Sequence, residues 1–293
     1  MIAVRIEGRL GNQMFQYAFI YSASKKLQAN FYIDKGIEVF KLYNYFEIEK
    51  DLHYPLDRFV FSIKGYKNIF QYHLRRVYYQ LANFILLRNE MVLEYDNLPA
   101  KAFLKNLIDN RLYVGFYQSE NYFSHCAEDI KKLFSLKKEV AYSYKRYKVQ
   151  FPNDKIIVTI HIRKTDYIGM ENRNLGGADL SLPFSYYHNA IKELNRVNHF
   201  FIFISDDQSG IEEEFGYLPF KYISYDDEII DFQHMLHADI CIIANSTFSW
   251  WAAYLNKNPQ KKVIAPQHFL GWRIGTQVPL EIYPSTWALI KVG

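Results

Sequence analysis

Three ionisable side chains lie at the end of a strongly apolar segment, Ile156–Ile162, or directly after it. The segment is rich in β-branched residues, which predicts a strand buried on both faces of a sheet. A buried strand cannot carry His161, Arg163 and Asp166 along its length, so we expect them at its carboxyl end, where ligands bind in open α/β sheets. An Arg163–Asp166 ion pair at the surface fits the same residues equally well.

Two further predicted strands also end in polar residues. Those after the first are Ser205, Asp206 and Asp207, and those after the second are Asn245, Ser246 and Thr247. Asn245 or Ser246 can cap the helix that follows, whose first-turn N–H groups suit a phosphate without a metal. In a parallel sheet all three strand ends would converge on one edge and form a site for an anion, a base and a ribose. An ordinary capped helix is the alternative.

Near the N-terminus, Gly8 and Gly11 lie in a predicted turn between a strand at 3–6 and a helix at 14–28. The third glycine of the dinucleotide fingerprint is missing, so NAD binding is weakly supported, although Asp34 stands where a ribose-binding acid would fall. The glycines allow a ligand to approach the backbone closely, and the helix offers its positive end.

The sequence has few patterns that are typical of a metal site. The sequence has no Asp-x-Asp pair, and the side chains of the adjacent Asp206 and Asp207 diverge in an extended segment. Asp231, His234 and His237 share a predicted helix with a spacing that permits a ligand pair, but polar helix faces carry such groups often. We therefore expect neither a metal nor a resident cofactor. No serine nucleophile elbow or Cys–His constellation stands out.

Strands alternating with helices predict an α/β fold with parallel sheets covered on both faces. A polar, tyrosine-rich stretch ending at residue 154 suggests a boundary between domains 1–150 and 151–293. A helix is expected at 71–88, and the last strand at 263–265.

The 293 residues carry a net charge of +4, which is too weak and dispersed to predict nucleic-acid binding. Two distant cysteines, no evident signal peptide and no sufficiently apolar run together predict a soluble cytoplasmic protein. The sequence does not decide whether the basic segment around Arg75 and Arg76 contacts the inner face of the membrane.

Four blocks, in order along nearly the whole chain, resemble the α1,2-fucosyltransferases of glycosyltransferase family 11. They are Gly8-Arg9-Leu10-Gly11-Asn12-Gln13, His161-Ile162-Arg163-Lys164-Thr165-Asp166-Tyr167, Ser205-Asp206-Asp207 and Asn245-Ser246-Thr247-Phe248-Ser249-Trp250-Trp251. Lys164 replaces an arginine usual in the family, which keeps the charge but loses the planar fork.

The resemblance implies a GT-B-like fold of two Rossmann-like, doubly wound domains facing across a cleft. The C-terminal domain would bind GDP-fucose, and the N-terminal domain would shape the acceptor side. It further implies inverting, metal-independent transfer of L-fucose to the 2-hydroxyl of a terminal β-galactose on an oligosaccharide or glycolipid.

Related protein O-fucosyltransferases suggest that Asn12 and Arg163 approach the phosphates and the leaving group. Asp166 and His161 are candidate bases. The candidate donor-binding residues are Gly11, Arg163, Ser205, Asp206, Asp207, Asn245, Ser246, Thr247 and Phe248.

Overall fold

The computed structural model describes residues 2–34, 39–48, 90–93, 98–169, 174–192, 194 and 197–293, with positions 70, 73, 74, 76, 77, 80 and 81. The chain forms two compact units, Met1–Ser135 and Leu136–Gly293. The units divide upstream of position 150. Tyr144 helps to explain this, because it is buried in the second unit and its hydroxyl lies 3.2 Å from Nδ1 of His234. Most of the helix predicted at 71–88 lies outside the described residues.

The first unit is an α/β arrangement with a parallel sheet. Its described elements are β1 (Ile2–Arg5), α1 (Leu10–Leu27), β2 (Phe31–Asp34), α2 (Leu42–Tyr45), β3 (Glu90–Val92), α3 (Ala100–Lys105), β4 (Leu112–Val114), 3-10 turns at Glu120–Tyr122 and Ser124–Cys126, and α4 (Ala127–Leu133). The described strands pair in the order β2-β1-β4-β3. The strand order reverses between β1 and β4, so their carboxyl ends flank a crevice of the kind that binds ligands in such sheets.

Helix α1 begins earlier than the sequence suggests. The predicted turn extended to Gln13 and the predicted helix began at Met14, whereas the observed helix begins at Leu10. Only Gly8 needs the special conformation, with φ of 79°, and a Cβ there would lie 2.6 Å from Nδ2 of Asn12. Gly11 and Asn12 therefore belong to the first helical turn, whose backbone N–H groups form the positive end of the helix.

The second unit is a larger α/β arrangement. Its described elements are α5 (Lys138–Ser143), α6 (Lys145–Lys148), β5 (Ile156–Ile162), a 3-10 turn at Thr165–Tyr167, α7 (Phe184–Lys192), β6 (His199–Ser205), α8 (Ile211–Phe215), β7 (Lys221–Ile223), α9 (Glu228–Leu236), β8 (Ile240–Ile242), α10 (Thr247–Leu255), β9 (Lys262–Pro266) and β10 (Ala288–Ile290). The described strands pair in parallel in the order β10-β9-β8-β5-β6-β7. The switch point lies between β5 and β8.

The predicted strand Ile156–Ile162 is confirmed at its exact bounds, and its last five residues are buried. Strand β10 corrects the prediction that the chain's last strand would be at 263–265, since Ala288–Ile290 pairs in parallel with β9. On α10, Trp250 and Trp251 are fully buried and fix the helix on the core. None of the helices in the described part of the chain combines the length and the hydropathy that a membrane span requires.

Candidate active site

The carboxyl ends of β5, β6 and β8 lie side by side in the second unit. Strand β5 pairs with β6 along its whole length and with β8 on its other side. The backbone N–H of Lys164, just after β5, donates to Asp206 after β6 at 2.9 Å. The hydroxyl of Tyr167 donates to the backbone carbonyl of Asn245 after β8. The predicted strand ends are thus brought together at a topological switch point, the usual position of a ligand site in this fold class.

The arginine cluster, consisting of Arg163, Asp166 and Asp206, is the main charged feature of this edge. Arg163 donates from Nε and from a terminal nitrogen to the two oxygens of Asp166, at 2.7 and 2.5 Å. Its other terminal nitrogen lies 3.3 Å from Oδ2 of Asp206. Burial alone would lower the pKa of the guanidinium, but the contacts with Asp166 and Asp206 outweigh burial and raise it. Each terminal nitrogen carries a second N–H that these contacts do not use, so the group can still donate to an anion.

Asp206 fastens the loop that carries Arg163. Besides the Lys164 N–H, it accepts from the backbone N–H and the hydroxyl of Thr165, at 3.2 and 2.5 Å. Burial raises the pKa of this carboxyl, but the hydrogen bonds from Thr165 and Lys164 and the charge of Arg163 bring it below its ordinary value. Asp206 is therefore an ionised carboxylate whose hydrogen bonds are made to the protein's own loop after β5.

Asp207 and Ser205 are used differently. Asp207 accepts from the backbone N–H and hydroxyl of Ser209, at 2.9 and 2.8 Å, and these bonds lower its pKa. The hydroxyl of Ser205 donates to the Asp207 carbonyl at 2.7 Å. Of the two aspartates, Asp207 has the more exposed side chain, at 41% against 15% for Asp206, and so is better placed to meet a ligand hydroxyl.

His161 lies inside β5 and is 3% exposed. Burial, and then the nearby charge of Arg163, lower the pKa of its imidazole to about 3. Its ring centroid is 5.6 Å from that of Phe248 in α10. Its Nδ1 is buried with no hydrogen-bond partner among the described residues. The ring is therefore neutral near pH 7, and these surroundings do not favour a general base.

The region after β8 is held by a small hydrogen-bond network. Nδ2 of Asn245 donates to the carbonyl of Leu180 at 2.8 Å, and the indole N–H of Trp272 donates to the same carbonyl at 3.1 Å. Leu180 in turn donates its backbone N–H to the carbonyl of Tyr167 at 3.0 Å. Tyr167, Leu180 and Asn245 thus form a closed ring. The prediction missed this role of Tyr167, for which its place at the end of the His161 block is the only sequence signal.

Helix α10 directs its positive end towards this edge. Ser246 occupies the N-cap position in an extended conformation, but its side chain makes no capping hydrogen bond, and Asn245 bonds to Leu180 instead. The expected side-chain cap is therefore wrong. At the opposite end, the Lys261 ammonium donates to the carbonyls of Ala253 and Asn256, at 2.8 and 2.6 Å. The helix thus has a capped carboxyl end, and Thr247 begins its amino end.

In the first unit, Asn12 lies in the first turn of α1, and its Oδ1 accepts from Nε2 of Gln118 at 3.0 Å. Gln16 bridges the switch point there, since it accepts from the N–H of Glu7 and donates to the carbonyl of Gly115, at 3.1 and 3.0 Å. Asp34 is 1% exposed and lies 3.3 Å from Arg5. This burial and pairing argue against its use as the ribose ligand of an NAD site.

The histidine cluster, consisting of Asp226, Asp231 and His234, lies after β7 and on α9. Among the described residues, these three could converge on a metal ion, whereas His237 is not part of the group. Their ligand atoms already have protein partners, however. Nε2 of His234 lies 3.1 Å from Asp226, and the hydroxyl of Ser224 donates to Asp231 at 2.6 Å.

The sequence model described as Glycosyl transferase family 11 matches residues 61–271. The chain belongs to glycosyl transferase family 11. An alpha-1,2-colitosyltransferase of Escherichia coli is 26% identical over 276 residues, covering 91% of each chain. The O-antigen biosynthesis glycosyltransferase WbnK of Escherichia coli is 28% identical over 291 residues, covering 89% of this chain and 92% of the relative.

Solved fucosyltransferases share the fold of this family 11 member. POFUT1 in complex with GDP-fucose gives a TM-score of 0.54 at 12% identity, over 90% of this chain and 96% of that one. NodZ from Bradyrhizobium gives 0.52 at 13% identity, over 86% of this chain and 92% of that one. The predicted α/β, GT-B-like class with two Rossmann-like units is thereby confirmed. The reaction class of the chain is glycosyl transfer.

Proposed function

We propose that this family 11 glycosyltransferase transfers L-fucose from GDP-fucose to the 2-hydroxyl of a terminal β-galactose, with inversion and without a metal or other cofactor. The observation that carries the proposal is Arg163, held by Asp166 and Asp206 at a switch point next to the amino end of α10. The α-1,2 linkage has support in the name of one relative, and the donor in the GDP-fucose bound by POFUT1 and NodZ. We assign donor binding to the second unit and the acceptor side to the first.

The chemistry requires donors fixed where negative charge develops. Breaking the bond between the anomeric carbon and the diphosphate gives a sugar with oxocarbenium character and leaves charge on the distal phosphate. We assign that charge to the unused N–H groups of Arg163 and to the amino end of α10 at Ser246 and Thr247. Asp207 and Ser205 bind the nucleoside, and Asn245 and Phe248 line the donor site.

We assign only a small share of the catalysis to removal of the proton from the acceptor hydroxyl. Both oxygens of Asp166 already accept from Arg163, which favours orientation of the guanidinium over a role as general base. His161 is buried and neutral. A sugar with strong cationic character needs little help from a base, so the proposal relies on stabilisation of the leaving diphosphate.

A colitosyl donor is the second candidate, because a relative of 26% identity is a colitosyltransferase. The deciding experiment incubates the full chain in EDTA with a galactose-terminated acceptor and either GDP-fucose or GDP-colitose, and determines the new linkage by NMR. An α1,2-fucosylated product supports the proposal. A product only from GDP-colitose favours the second candidate.

Nucleotide binding is measured in parallel by thermal protection with GDP, UDP, ADP and NAD. Protection by GDP in EDTA is expected. Protection by UDP or ADP but not by GDP would indicate another nucleotide-sugar transferase. GDP binding without transfer to any acceptor would indicate a non-catalytic nucleotide-binding module. Loss of GDP binding and activity in EDTA alone would contradict metal independence.

A further inference from the structure

A row of exposed apolar side chains marks the described positions between 70 and 81. All of these positions are helical. Phe70, Leu74, Val77 and Leu81 are 69%, 38%, 54% and 53% exposed. Their spacings of four, three and four residues match the period of one face of an α-helix. A group of large apolar side chains that stays exposed to water usually marks a surface that binds something.

The stretch of sequence that contains this row has basic residues and no acidic ones. From Arg58 to Arg88 it contains no Asp or Glu and has six Lys and Arg residues: Arg58, Lys64, Lys67, Arg75, Arg76 and Arg88. The whole chain has 35 Lys and Arg against 31 Asp and Glu, so the remainder has 29 against 31. The positive charge of the protein is therefore concentrated in the segment that carries the exposed apolar row.

We propose that this row, together with the basic stretch of sequence that contains it, binds the surface of an anionic lipid bilayer. The apolar side chains would enter the boundary between head groups and acyl chains, and the cations would attract anionic head groups. A groove on another protein would also cover an apolar row, but it gives no reason for six cations spread over 31 residues without an acid. The proposal is independent of the donor and acceptor assigned above.

The test measures binding of the full chain to vesicles of phosphatidylcholine, with and without phosphatidylglycerol, by co-sedimentation. The variant Leu74→Glu/Leu81→Glu disrupts the row. The control Val149→Glu/Val197→Glu makes the same change of charge at residues that are 82% and 64% exposed elsewhere. We expect the wild type and the control to bind vesicles that contain phosphatidylglycerol, and the Leu74/Leu81 variant to bind roughly tenfold more weakly. Binding should also fall as salt rises.

Equal binding by the Leu74/Leu81 variant and the control overturns the proposal, as does failure of the wild type to bind phosphatidylglycerol vesicles. Thermal melting and GDP affinity should be the same in all three proteins. If the glutamate variant does not fold, Leu74→Ser/Leu81→Ser replaces it with the same expected loss. A wild-type dimer that becomes monomeric in the variant, without vesicle binding, would assign the row to a second copy of the chain instead.

Discussion

The arginine cluster and the histidine cluster both lie in the second unit, but the pKa shifts of their ionisable groups have opposite consequences for charge. In the arginine cluster the pKa of Arg163 is raised and that of Asp206 is lowered, so both of these groups keep their charge. In the histidine cluster, burial lowers the pKa of His234 and raises that of Asp231 to about 7. Charge is retained in the first and suppressed in the second.

The difference follows from where the charged groups find their partners. Arg163 has unused N–H groups, and the side chain of Asp166 is 39% exposed, so an anion can join the arginine cluster. In the histidine cluster Asp226 accepts from Tyr222 at 2.9 Å and lies 3.1 Å from Nε2 of His234. A buried polar network that is satisfied within the protein makes the core more rigid. We therefore expect changes in the arginine cluster to affect turnover, and changes in the histidine cluster to affect stability.

The largest expected effect is that of Arg163→Ala. If the guanidinium meets the leaving diphosphate, its interaction strengthens as the anomeric bond breaks, and its loss should lower kcat by roughly 10²–10³. Arg163→Lys should rescue only part, because an ammonium lacks the fork that pairs with carboxylate and phosphate. Steady-state kinetics with GDP-fucose measures both, and Arg146→Ala, at an exposed arginine of α6, is the control. Near-normal turnover of both Arg163 variants, with cooperative melting, would make the cluster structural.

Asp166→Asn should have a smaller effect on turnover. The amide keeps one acceptor for Arg163 but loses the second and the charge, so we expect kcat to fall by roughly tenfold with little change in GDP affinity. The pH profile of kcat separates the two possible roles. An unchanged acid limb supports orientation of Arg163, whereas a loss of more than about 10² together with the acid limb would make Asp166 the general base.

The histidine cluster predicts a particular pH dependence of stability. The folded pKa of Asp231 is raised from 3.8 to about 7 by burial and by the charges of Asp226, Asp227 and Glu228. Its contribution to the free energy of unfolding is therefore fully present below about 4 and lost as the pH rises to 7. His234 acts in the opposite direction, because its lowered pKa costs stability as the pH falls below 6.5.

Asp231→Asn isolates the aspartate, since the amide can still accept from Ser224 while His234 is unchanged. The melting temperature of the variant should exceed that of the wild type by a margin that grows by roughly 2–6 °C between pH 5 and pH 8. Asp207→Asn is the control, because the pKa of Asp207 is lowered and its effect should be constant over this range. A constant difference for Asp231→Asn as well would mean that this carboxyl is ionised throughout.

Much of the architecture of the second unit could be predicted, because long β-branched runs such as Ile156–Ile162 give a strong strand signal. The convergence of the strand ends then followed from parallel pairing. Strand β10 was missed because two of its three residues are exposed and it has no comparable pattern. The start of α1 was misplaced because Gly11 was assigned to a turn. Of the two glycines in this block, only Gly8 adopts a left-handed conformation.

The side-chain contacts of the site were harder to predict. A pair between Arg163 and Asp166 could be considered, because they are three positions apart in the sequence. The contacts of Arg163 with Asp206 and of Tyr167 with Asn245 join residues distant in sequence. Composition and spacing do not encode such contacts, which depend on how the loops after β5, β6 and β8 pack. The assignment of roles to Asn12 and His161 stays a prediction for the same reason.

The smallest and most direct test uses two tyrosines as a matched pair, since Tyr→Phe removes a single hydroxyl from each region. Tyr167 donates to the carbonyl of Asn245 beside the arginine cluster, whereas Tyr222 donates to Asp226 in the histidine cluster. Tyr222→Phe should lower stability by about 1 kcal/mol and leave kcat unchanged, because one hydrogen bond within a polar network is lost. Tyr167→Phe should lower kcat/KM for the donor by roughly threefold to tenfold, because the loop that carries Arg163 loses an anchor. Melting curves and donor kinetics on both variants decide the matter. A Tyr222 variant impaired in kcat, beside a Tyr167 variant impaired only in melting, would show that the two clusters have been assigned the wrong way round.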